Sequence, residues 1–150
     1  MNKTMKKLLT LLLLGLCLVG TGCRSHKQSA LVQVQPKFDA EVEWKLTSIR
    51  GKQVTYADDQ KLATVQFNPE SGVISGCAGC NRFFGNYRDL GEGHLQLSDI
   101  SSTKMMCPET FMKIENLYLP TLNKVDGYEL GEYQLQLFQG DKVVLTFERL

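Results

Sequence analysis

An excess of charge of either sign is missing from this chain. Its 17 lysines and arginines are set against 16 aspartates and glutamates over 150 residues, a formal net charge of +1. No basic patch reaches the size that nucleic-acid binding requires, so a nucleic-acid partner is excluded. Apolar runs of spanning length are missing too. The longest, from Leu8 to Val19, has about 12 residues against the roughly 20 needed to cross a bilayer. Histidine is reduced to two. There is no Ser/His/Asp order with supporting context, no phosphate-binding glycine loop and no pair of acids with a site around it. Asp58, Asp59 and Asp99 read as solvated loop carboxylates. No internal repeat or low-complexity tract is visible. Catalytic residues, a cofactor and a resident metal are therefore not expected.

The N-terminus is more telling. Lys3, Lys6 and Lys7 precede the short apolar run, which is the pattern of an export signal rather than of a membrane span. Gly20-Thr21-Gly22-Cys23 then resembles a bacterial lipobox, with small residues just before the cysteine. Cys17 is a poorer acceptor, because Leu16 precedes it. This predicts a signal over 1–22, a diacylglyceryl (palmitate-bearing) Cys23, and a lipid-anchored chain held permanently, since each buried CH₂ contributes about 0.8 kcal/mol. Arg24 rather than an aspartate follows Cys23, which favours the outer membrane. Arg24 to Ser29 lacks acidic residues, which favours the periplasmic face over the cell surface. Residues 23–40 read as a tether interrupted by Pro36, with Leu31 to Val34 as an optional edge strand. Residues 41–150 are then one small monomeric domain.

Within that domain the periodicity is mostly that of strands. Trp44, Leu46 and Ile49 mark one. Ala63, Val65 and Phe67 alternate, Asn68 to Gly72 turns the chain, and Val73 to Gly76 returns. Asp89 to Gly93 separates two more runs, and Gln139 to Lys142 separates Leu135/Leu137 from Val143/Leu145/Phe147. One segment differs. Phe111, Ile114, Tyr118, Leu122 and Val125 recur at three- and four-residue spacing, which predicts a helix over 108–125. Pro108 suits its first turn, Gly127 its stop, and Pro120 should kink or divide it. The expected class is α+β, a curled antiparallel sheet of half-barrel type crossed by one Pro-kinked helix.

The densest chemistry lies in Gly76-Cys77-Ala78-Gly79-Cys80-Asn81-Arg82-Phe83-Phe84-Gly85-Asn86-Tyr87, with a further cysteine in Thr103-Lys104-Met105-Met106-Cys107. In an exported chain disulfides are the default, and Cys77, Cys80 and Cys107 allow three pairs, each leaving one thiol. Cys77-Ala78-Gly79-Cys80 also has the spacing of a thioredoxin-type redox motif, but strand rather than helix follows it. Cys77, Cys80, Cys107 and His94 would make a zinc set lacking a second close pair. Met105 and Met106 read as core packing rather than as copper ligands. Phe83 and Phe84 should point to opposite faces, leaving one exposed.

Trp44-Lys45-Leu46, the Gly79-Cys80-Asn81-x-Phe83-x-Gly85-x-Tyr87 core, Thr103-x-x-Met106-Cys107, Glu115 and Leu135-x-Leu137 occur in the order found in a known family. Together they resemble the META/HslJ-like domain of bacterial envelope lipoproteins. The resemblance implies a small α+β domain without established enzymatic activity, associated with heat shock, antibiotic tolerance and the envelope. It also implies cysteines at 80 and 107, whereas Cys77 departs from the family pattern. Chain-entropy arithmetic points the same way, at about 3.6 kcal/mol for the loop closed by Cys80–Cys107 and about 1.9 for that closed by Cys77–Cys80. Cys77 is then the free thiol. The expected role is envelope maintenance or stress tolerance through a protein or small ligand. A thiol–disulfide oxidoreductase using Cys77 and Cys80, and an inhibitor or ligand carrier, are the competing readings.

Overall fold

A computed structural model describes residues 37–150. The signal, Cys23 and the optional strand at Leu31 to Val34 lie outside the described residues. Among the described residues nine strands and one helix follow in order: β1 Glu43–Ile49, β2 Lys52–Gln53, β3 Ala63–Asn68, β4 Val73–Ala78, β5 Arg82–Gly91, β6 His94–Ser102, α1 Glu109–Leu122, β7 Gly127–Leu130, β8 Gln134–Gln139 and β9 Lys142–Arg149. The class is mostly β rather than evenly α+β.

The sheet is antiparallel, in the order β2-β1-β3-β4-β5-β6-β7-β8-β9, and β1 pairs again with β9. The expected curl therefore goes to completion as a closed ring, with β2 as a short flap beside β1. Closure depends on a long register, from Trp44 opposite Arg149 to Ile49 opposite Leu145. The narrow place is between β6 and β7, joined by the single pair His94 and Gly127.

Alternation decides which side chains fill the ring. Ala63, Val65 and Phe67 of β3 are fully buried, as are Leu135 and Leu137 of β8 and Leu145 and Phe147 of β9. The interior also takes in Phe38, stacked on Phe67 with ring centroids 4.0 Å apart. The domain thus begins before residue 41, inside the segment read as tether.

The helix is one unbroken element across Pro120. A proline there removes one backbone hydrogen bond, and the Thr121 hydroxyl donates to the Leu117 carbonyl at 2.7 Å beside the gap. The helix ends at Leu122 with Asn123 as its cap, so Gly127 opens β7 instead of stopping the helix. Pro108 stands at the N-cap, just outside the first turn. Tyr118 drives the helix into the ring. Its ring meets Phe83 and Phe147 edge-on, at 5.6 and 6.0 Å, and its hydroxyl donates to the Thr64 carbonyl at 3.2 Å. Gly76 makes room for that carbonyl, because a Cβ at 76 would lie 2.1 Å from the same oxygen.

Buried phenols give the fold an alkaline limit. Burial raises Tyr118 well above the usual phenol range. Burial also pushes Tyr56 up to about 12. Tyr128 is pushed up to about 12 by burial and by its hydrogen bond to Asp89. A phenol near 10 when unfolded and higher when folded keeps its proton longer in the native state. Its contribution is complete below pH 10 and is lost as pH rises toward the folded value. Urea midpoints are expected to be flat up to about pH 10 and to fall between about pH 10 and 12, less steeply in Tyr128→Phe. A midpoint unchanged to pH 12 would refute this.

Candidate functional site

The glycine–cysteine loop is built around Asn81, which is 1% exposed. Every hydrogen-bonding group of this residue is engaged. Its backbone N–H donates to Glu115 Oε2 at 2.9 Å, and its Nδ2 donates to Glu115 Oε1 at 2.9 Å and to the Met105 carbonyl at 3.3 Å. Its Oδ1 accepts from the Thr103 hydroxyl at 2.8 Å and the Met105 N–H at 2.7 Å. Its carbonyl accepts from the Ala78 N–H at 2.7 Å. One side chain thus ties together the loop, the strand-to-helix connection and the helix.

The turn that presents Asn81 depends on Gly79, whose φ of +95° is a conformation that side chains disfavour. Glu115 is buried on the helical stripe, and both of its oxygens accept from Asn81. Thr103 adds a second tie. Its hydroxyl also accepts from the Arg82 N–H, and its own N–H donates to the Arg82 carbonyl.

Cys80 and Cys107 form a disulfide across the same junction. Among the described residues Cys77 is the free cysteine, half-buried at the next-to-last position of β4. Cross-strand register places it between Thr64 and Arg82, with Lys45 one strand further on. Among the described residues no group of three His, Cys, Asp or Glu is arranged to hold a metal. His94 opens β6 beside its turn, exposed.

The remaining motif residues divide by side. Phe83 is buried and Phe84 is 58% exposed, as alternation requires. Tyr87 packs against the core edge-on to Phe67, with ring centroids 5.0 Å apart. Gly85 faces Ile100, whose Cδ1 would lie 2.5 Å from an added Cβ.

The methionines overturn their reading as core. Met105 and Met106 are both exposed, Met106 completely. The connection runs over the surface, and Met105 acts through its backbone, whose N–H and carbonyl both bind the Asn81 side chain. Sequence reasoning also missed Glu115 as a partner of Asn81. A signal existed, since Glu115 lies four residues after Phe111 and three before Tyr118, a carboxylate on a stripe otherwise apolar.

A closed antiparallel ring with one helix clasped to a glycine–cysteine loop defines the structural class. The model of the META domain family matches residues 37–150, and the chain belongs to that family. Two structures solved by NMR are similar to it. One, from Burkholderia xenovorans, is 28% identical, with a TM-score of 0.59 over 78% of this chain and 92% of that one. The other is 29% identical, with a TM-score of 0.55 over 73% of this chain and 89% of that one. A search of curated proteins returns no match. The matched part makes up nearly all of each of those two solved chains.

Proposed function

We propose that this is a non-enzymatic, lipid-anchored META-domain protein of the bacterial envelope. It is attached through Cys23 to the outer membrane, faces the periplasm as a monomer, and supports envelope maintenance or stress tolerance by binding a protein or small ligand. The observation that carries the binding reading is the complete use of the motif's polar groups within the protein. Asn81, Thr103 and Glu115 hold one another, and Cys80 is tied to Cys107. The signature supports a rigid platform rather than a reacting centre. The oxidoreductase reading lacks a Cys77–Cys80 pair to work with, because Cys80 has its partner elsewhere. The lysine-led signal and the lipobox ending at Cys23 support the anchor.

In the host bacterium, a fatty-acid probe is expected to label the wild-type protein and not Cys23→Ala after denaturing washes. Cells lacking the protein should lose tolerance to heat or to envelope-active antibiotics, with rescue by wild type and not by Cys23→Ala. Equal labelling of the two forms would overturn the anchor. Undiminished tolerance would overturn the role.

A further inference from the structure

A second feature lies away from the clasp, between the β1–β2 flap and the helix. It is a cleft of about 390 Å³ whose apolar lining is Ile49, Val54, Ile114 and Leu117. Arg50, Lys52 and Lys113 also line it, and no carboxylate does. A domain with 12 lysines and arginines against 16 aspartates and glutamates over residues 37–150 thus presents three cations around one apolar floor. Leu117 is 59% exposed there, although the adjacent Ile114 and Tyr118 are buried.

The walls are preformed. Arg50 and Gly51 have φ of 49° and 76°, the left-handed pair of a tight two-residue hairpin turn. That turn holds Arg50 and Lys52 on either side of Gly51. The Arg50 N–H donates to the Val144 carbonyl at 2.8 Å, and the Val54 N–H to the Thr47 carbonyl at 2.9 Å. The opposite wall is the helix, fixed by Tyr118 and Glu115.

Size and charge specify an occupant. The volume falls in the range of small-molecule sites, and holds roughly thirteen groups at ~30 Å³ each. A protein partner would instead need a contact face of about 800 Å². We infer that the cleft binds an anionic amphiphile, a single alkyl chain of about ten carbons with a carboxylate or phosphate head. The chain lies on Ile49, Val54, Ile114 and Leu117, and the head meets Arg50, Lys52 and Lys113. This names a ligand class for the binding role proposed above and does not depend on the anchor at Cys23.

The test is an NMR titration of the protein with sodium decanoate and, separately, decyl phosphate, each below its aggregation concentration. Saturable binding of either, with amide shifts centred on Val54, Lys113 and Leu117, is expected, and the better of the two identifies the head group. Decyltrimethylammonium should bind at least about tenfold more weakly, and inorganic phosphate should not saturate. Lys113→Glu should weaken binding about three- to tenfold, within the range of one exposed charge pair. Leu117→Ser should weaken it by about fivefold or more. Both positions are exposed, so both variants keep the fold, which the wild-type spectrum outside the cleft will confirm. Absence of saturable binding, equal binding of the cationic amphiphile, shifts mapping elsewhere, or tighter binding of an acidic leucine-containing peptide would each overturn the inference. Failure here with intact fatty-acid labelling would leave the anchor reading standing. Covalent label at Cys23 survives denaturing washes, whereas ligand in the cleft does not.

Discussion

Asn81→Ala is expected to destabilise the domain by about 4 kcal/mol or more, a third or more of the stability of a typical domain. The reason is what it leaves behind. The Met105 N–H and carbonyl, the Thr103 hydroxyl and Glu115 Oε1 lose their partner, while Glu115 Oε2 keeps the backbone N–H of residue 81, and each group left unpaired where it is buried costs about 1–3 kcal/mol. Asn81→Asp separates this network from simple packing. It keeps the shape and the oxygen that accepts from Thr103 and Met105. It replaces the Nδ2 donor, 2.9 Å from Glu115, with a second carboxyl. Two carboxyls at that distance must share a proton. The folded variant therefore binds a proton that the unfolded chain, with carboxyls near pH 4, has released at neutral pH. Its stability is highest in acid and falls as pH rises. Urea unfolding at about pH 4.5 and 7.5 should show Asn81→Asp recovering toward wild type at the lower value, while Asn81→Ala does not. A loss independent of pH in both variants would rule out the Asn81–Glu115 pairing as its cause.

Cys107→Ser should lower stability by about 3–4 kcal/mol and Cys77→Ser by less than about 1. The Cys80–Cys107 bond spans 27 positions of sequence, so it restricts the unfolded chain substantially, whereas Cys77 is unpaired and half-buried. Reducing agent gives a matching measurement. Dithiothreitol should lower the melting temperature of wild type and of Cys77→Ser, and leave Cys107→Ser unchanged. Equal losses in the two serine variants, or insensitivity of wild type to reductant, would show that the crosslink does not stabilise the domain.

The strands were legible where one face is buried and the other wet. Ala63, Val65 and Phe67 announced β3, and Leu135, Leu137, Leu145 and Phe147 announced β8 and β9. The turns at Asn68 to Gly72 and Gln139 to Lys142 were equally plain. Two strands were not legible. β2 has two residues, both exposed, and β7 only four residues, one of them exposed, so neither fills a window long enough for a period to appear. Ring closure was illegible for another reason. It depends on β1 meeting β9 across nearly the whole domain, and no local pattern encodes that pairing. Pro120 pointed to a break because its local penalty is large, but the tertiary burial of Tyr118 and Leu122 on either side holds the helix through it. The methionines misled because their side chains say nothing of a role played by the backbone of Met105.

Closure between β1 and β9 also orders the events of synthesis. Leu150 donates its N–H to the Glu43 carbonyl, so the strand made first waits for the strand made last. Until β9 emerges, β1 has only β2 and β3 beside it, and the edge destined for β9 is unpaired and open to other chains. Long-range pairing of this kind is slow to form. During synthesis the first strand of the ring must therefore be kept from foreign partners until β9 has been made, and any condition that supplies unfolded strands of other chains would strike this domain at that stage.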